Sequence, residues 1–163
     1  MSAEEKEIKS TEKEMDKLLK RAKRSADRED YQKAVVLYQE MARLASSIRD
    51  RRAVDFCLDA VKYSLKTGDN FKTGWCYKCA AVYSMKLEDF NNAINFAMKA
   101  IEYFSKANSM YAVQWCYNIA GEACERLNDH ELAIKNYRKS LEIEHSGEID
   151  RKVRNLLKTK KKE

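Results

Sequence analysis

The spacing most suggestive of chemistry is Cys76-x-x-Cys79, which on a helix sets two sulfurs on one side, as a metal site or a redox pair requires. A structural zinc takes about four ligands, and neither a second CxxC nor an HxxxH pair is present to supply the rest. Cys116 and Cys124 lie on a different predicted helix. The sequence thus predicts no metal or cofactor, and thiols that pack as small hydrophobes. Five cysteines, an odd number, exclude a complete disulfide framework and point to reduced thiols in a cytoplasmic protein. The two histidines, His130 and His145, fall at a helix start and a helix end, away from any identifiable nucleophile. No glycine-rich phosphate loop occurs, so no catalysis is expected. Lys20, Arg21, Lys23 and Arg24 cluster around Ala22 and could meet acidic partners or phosphates. Asp16, Asp27 and Glu29 stand at helical spacing from them, which predicts a solvated, salt-bridged face.

The elements that must position these residues read as helices throughout. There is no proline and only four glycines in 163 residues, and the 36% charged content is interleaved with apolar positions. A sheet protein needs turn glycines and prolines, whereas helices with one wet face need neither. Thr11 and Glu14 form a capping box ahead of Met15, Leu18, Leu19 and Ala22, and Arg28-Glu29-Asp30 breaks the run. Further helices are predicted from Tyr31, from Asp50 to Thr67, from Phe71 to Met85, from Asp89, from Asn108 or Ser109 to Leu127, and from Asp129 to about Ile143. Ile149, Val153, Leu156 and Leu157 offer a last stripe. These starts are nearly evenly spaced, which predicts one domain over residues 1–163 made of antiparallel helices, with 1–9 and 158–163 frayed or disordered. No apolar run approaches the roughly 18 residues that span a bilayer, and Met1 to Lys9 is too charged for a signal peptide.

Self-similarity strengthens this. Trp75-Cys76-Tyr77 recurs as Trp115-Cys116-Tyr117, and Ala80, Ala81, Ala93, Ile94, Ala100 and Ile101 recur as Ala120, Gly121, Ala133, Ile134, Ser140 and Leu141, all 40 residues on. Together with Tyr137, these positions resemble a tetratricopeptide repeat, in which small residues let two helices approach and aromatics fill the wedge between hairpins. The first pair of helices supplies Leu18, Ala22, Tyr31, Ala34 and Tyr38 to the same pattern. Its alanine is out of phase with Ala93, which leaves the third helix as a surplus or degenerate half-repeat. The long, proline-free hairpins "FNNAINFAMKAIEYF" and "ELAIKNYRKSLEIE" are similar to the variant repeats of the alpha-SNAP family, the soluble NSF attachment proteins. The first three helices also resemble a MIT domain. The resemblance implies an all-α, right-handed solenoid of seven to eight helices.

In the tetratricopeptide frame Trp75 and Trp115 precede the inward aromatic by two positions and point to the concave groove. Lys78, Val82, Met85 and Lys86 share that frame with Trp75, and Asn118, Glu122, Glu125 and Arg126 share it with Trp115. The alternative is that both tryptophans pack between neighbouring helices. The groove reading predicts a non-catalytic adaptor that holds a helical or extended segment of a protein partner, with membrane trafficking as the setting the alpha-SNAP resemblance implies. Its rival is a binder of nucleic acid or acidic surfaces through the first helix and the C-terminal tail, where residues 148–163 carry seven basic and three acidic groups. Acidic groups mixed along the whole chain count against that rival. Self-association through an exposed terminal helix is left open.

Overall fold

The computed structural model describes residues 1–160, and among them are eight α-helices and no strand. They are α1 (Ala3–Asp27), α2 (Tyr31–Ser47), α3 (Arg52–Thr67), α4 (Asn70–Lys86), α5 (Phe90–Lys106), α6 (Met110–Arg126), α7 (His130–Ile143) and α8 (Gly147–Lys160). Each helix packs on the next, so the fold is an antiparallel helical-hairpin repeat. Helices α4 and α5 have 17 residues each and are followed by three-residue turns, which accounts for the 40-residue period.

The turns explain how the chain reverses without proline. Glu29, Arg49, Glu88, Asn108 and Asn128 each adopt φ between 55° and 59°, and Gly68 adopts 71°. At each of the five non-glycine turns the next residue donates its N–H to a carbonyl five residues back, as Asp30 does to Ser25 at 2.9 Å and Asp129 to Cys124 at 2.9 Å. This closes the Schellman motif. That same residue, when it is Asp30, Asp89 or Asp129, caps the following helix by accepting from the third backbone N–H beyond it. One aspartate thus ends one helix and begins another. A charged residue in the left-handed region carries strain of about 1–2 kcal/mol that glycine avoids. Glu29 is exposed and, among the described residues, in no ion pair, so Glu29→Gly is expected to raise stability by about 0.5–1 kcal/mol, net of glycine's greater unfolded-state entropy. A higher midpoint in urea unfolding would show it.

Helices that skip one neighbour also touch. Gln39 Nε2 reaches Cys76 Sγ at 3.3 Å, Lys86 Nζ reaches Ser46 Oγ at 3.3 Å, and the Lys72 ammonium meets the Gln32 side chain. These contacts set α2 beside α4, as the rings of Trp75 and Trp115 set α4 beside α6. On the opposite side Arg52 approaches Glu12, setting α3 beside α1. Helix α3 is therefore no surplus element but the second helix of the α2–α3 hairpin. It carries Ala53, Cys57 and Ala60, all buried, 40 residues ahead of the buried Ala93, Ala97 and Ala100.

The N-terminal boundary also differs from the sequence expectation. Helix α1 begins at Ala3, capped by Ser2, whose Oγ accepts from Glu5 N–H while Glu5 Oε2 accepts from Ser2 N–H, both at 3.1 Å. Ser2-x-x-Glu5 is the same signature as Thr11-x-x-Glu14 and precedes it, so the second pair stays inside the helix. At the other end α8 buries Ile149, Val153 and Leu156 against Ala133, Ile134 and Tyr137. The last three residues of the predicted frayed tail, 161–163, lie outside the described residues.

Candidate functional site: an aromatic face around a buried lysine

Helices α2, α4 and α6 form one row, and α4 and α6 each carry a stripe of helical spacing that includes a tryptophan. On α6 the stripe is Tyr111, Trp115, Asn118, Glu122 and Arg126, and on α4 it is Phe71, Trp75, Lys78, Val82 and Lys86. Trp75 and Trp115 meet edge to face, with ring centroids 6.5 Å apart and planes at 80°. They touch across the helix pair, yet remain 39% and 42% exposed. The rings thus pack against a neighbouring helix and still face solvent.

Between them lies Lys78. The sequence places its side chain on the open face, but it is only 5% exposed and folded beneath the indoles. Its Nζ sits 3.4 Å from the Trp75 centroid and 3.9 Å from that of Trp115, well inside the range of about 6 Å at which a ring face attracts a cation. Among the described residues no carboxylate pairs with it and no oxygen accepts from it. Burial pushes its pKa below the usual lysine value, partly opposed by the sulfurs of Cys79 and Cys116. A desolvated cation held by π-faces and without a carboxylate partner is an unusual arrangement to keep. Nearby on α6, Asn118 Oδ1 is buried without a hydrogen-bond partner.

The other expected residues are only partly gathered there. Val82 and Met85 are half-buried and pack on the core between α4, α5 and α6. Lys86 turns toward α2, with its ammonium on Ser46 and 5.4 Å from the Tyr83 ring. Arg126 turns back over the α4–α5 turn, 4.7 Å from the Phe90 centroid and 3.6 Å from Glu88. Glu122 is exposed, whereas Glu125 accepts from the buried Tyr137 hydroxyl at 2.9 Å. Two aromatics on this face escaped the sequence reading. Phe71 stacks on Trp75 at 6.4 Å, and Tyr111 is the most exposed large apolar residue of α6. Each lies one helical turn before a tryptophan, and the two are again 40 residues apart. That repeated spacing was the signal.

Cys76 and Cys79 face the protein interior. The Cys76 thiol is buried and pushed up to about 12, and that of Cys116 likewise to about 12, in both cases chiefly by burial. Cys57 is raised further by the same cause. Among the described residues no group of three or more histidine, cysteine, aspartate or glutamate side chains is placed to hold a metal, and no helix is long and apolar enough to cross a membrane. The salt-bridged face expected on α1 does not form: Lys20, Arg21, Lys23 and Arg24 make no ion pair with Asp16, Asp27 or Glu29. For Lys23 and Asp27 the basic residue comes first, the weaker order against the helix dipole.

Comparison with known proteins agrees with this architecture. Residues 116–144, most of α6 and α7, match the tetratricopeptide repeat family. The N-terminal domain of stress-induced protein-1 (STI-1) from C. elegans is similar in structure, with a TM-score of 0.70 over 77% of this chain and 96% of that one, at 20% sequence identity. BtubC (BKLC) from P. vanneervenii is similar with a TM-score of 0.52 over 88% of this chain and 74% of that one, at 18% identity. No curated protein sequence matches. The fold is a tetratricopeptide-like helical-hairpin solenoid.

Proposed function

We propose that the protein is a non-catalytic adaptor whose α2–α4–α6 face is a peptide-binding groove, and that its ligand is a helical or extended segment of a protein partner carrying an acidic side chain next to a large apolar one. The observation that carries this is the Trp75–Lys78–Trp115 cluster. Tryptophans that are half-exposed and locked against each other offer flat anchors at little entropic cost. The lysine between them lacks a counter-ion, and a carboxylate arriving from a partner supplies one while the indoles exclude water. The match to the tetratricopeptide repeat supports protein binding in general. The likeness of the hairpins to the alpha-SNAP family supports membrane trafficking as the setting.

Selection from a displayed random peptide library tests the reading. Enriched sequences should pair aspartate or glutamate with a bulky apolar residue within one helical turn. Lys78→Met keeps the aliphatic stem and removes the charge, so it should weaken such peptides about ten-fold or more and erase the acidic preference while apolar selection persists. Unchanged acidic preference in Lys78→Met would sink the proposal.

A further inference from the structure

A second cluster of cations converges at the α1–α2 turn. Arg21 and Arg24 stand one turn apart on α1, Arg28 is its C-cap residue, and Lys33 approaches from the first turn of α2. With Ser25 and Asp30 they line a concavity of about 160 Å³. Among the described residues none of the four cations is in an ion pair. The one carboxylate in the lining, Asp30, already caps α2 through the Lys33 N–H at 3.2 Å. Ser25 is 7% exposed and borders the concavity. A C-terminal helix dipole is satisfied by one cation such as Arg24. Three guanidinium forks and an ammonium exceed that need.

From this convergence we infer that the α1–α2 pocket binds a phosphomonoester group carried by a phosphorylated side chain of a partner protein. Such a group brings nearly two negative charges and three acceptor oxygens, and guanidinium forks match its geometry. The volume suits one such group and not a nucleic-acid strand, which would need a continuous basic track. A lipid surface fits less well, because membrane-binding helices add apolar side chains beside the basic ones. On the described residues of α1 every exposed side chain is polar or an alanine.

The test uses the intact protein and fluorescence-labelled degenerate peptides with a central phosphoserine, serine or glutamate. Phosphoserine peptides should bind about ten-fold or more tightly than serine peptides, as expected for two or more new charge-assisted hydrogen bonds. Arg24→Gln with Arg28→Gln should remove that difference, and Ser25→Ala should reduce it. Arg151→Gln with Lys158→Gln takes the same charge from the far end of the chain and should leave it intact. Circular dichroism confirms that each variant is folded. Equal binding of phosphoserine and serine peptides, or equal loss in the distant control, would overturn the inference. Preferential binding to phosphatidylcholine vesicles containing phosphatidylinositol bisphosphate, or to inorganic phosphate without peptide discrimination, would overturn it too. The groove is not involved, so variants at Trp75, Lys78 and Trp115 should retain phosphoserine preference.

Discussion

Gly121→Ala is expected to lower stability by about 1–3 kcal/mol, although it adds one methyl group to the interior of a helix. On propensity alone the change should stabilise by about 1 kcal/mol, so its sign is diagnostic. A β-carbon built at Gly121 lies 2.6 Å from Cδ1 and Cε1 of Tyr137 and 3.0 Å from its Cζ. The ring has nowhere to go. Tyr137 is fully buried among Cys124, Ala133 and Ile149, and its hydroxyl is held by Glu125. One repeat earlier the equivalent pair is Ala81 and Ala97, both buried in one cluster, where a small partner leaves room for the methyl. Glycine opposite tyrosine and alanine opposite alanine are thus two solutions to one helix crossing. Tyr137→Ala alone should cost about 3–5 kcal/mol through its cavity. In the double variant the methyl no longer meets a ring, so the combined loss should fall short of the sum. Denaturant unfolding of the four proteins measures that coupling, and a stabilising Gly121→Ala would mean that the Tyr137 ring is free to move away from the crossing.

The same two repeats show what the sequence makes legible. Ala93, Ala133 and the tryptophan triplets define the period because close helix approach admits only small residues, which mark positions directly. The helix count and most turns follow from aspartate caps. Helix α3 was harder to read. The second-helix signature of an aspartate followed by an aromatic and an alanine appears on α2, as Asp30, Tyr31 and Ala34, although α2 lies in the row of α4 and α6. The better marker is the buried triplet Ala53, Cys57 and Ala60, which a thiol in place of alanine or tyrosine partly disguised. Trp75 and Trp115 could be placed on a shared face from spacing alone. The position of Lys78 could not, because a lysine at an outward position is ordinarily solvated. Only the two indoles closing over it change that, and their mutual contact spans two repeats. Phe71 and Tyr111 were hidden for a different cause, each lying at the start of its helix, where an aromatic reads as a boundary residue.

Replacing both tryptophans, Trp75→Ala with Trp115→Ala, is expected to abolish partner binding, weakening it about a hundred-fold or more, with only a moderate loss of stability. Fully buried tryptophans would cost about 3–5 kcal/mol each. At 39% and 42% exposure these two surrender less area, and each loses part of its contact with the other in either single variant. A combined cost of about 2–4 kcal/mol is therefore expected, below the sum of the singles. Lys78 also limits the damage. Once the rings are gone its ammonium is rehydrated, which offsets the lost cation–π attraction. The comparison of binding with stability is what separates a working surface from a core. Phe71→Ala and Tyr111→Ala extend the test along the same two helices: if the segment runs across the face, each should weaken binding without a large change in the unfolding midpoint. Binding that survives the double tryptophan change in a folded protein would remove the groove from consideration and direct attention to the cationic pocket at the α1–α2 turn.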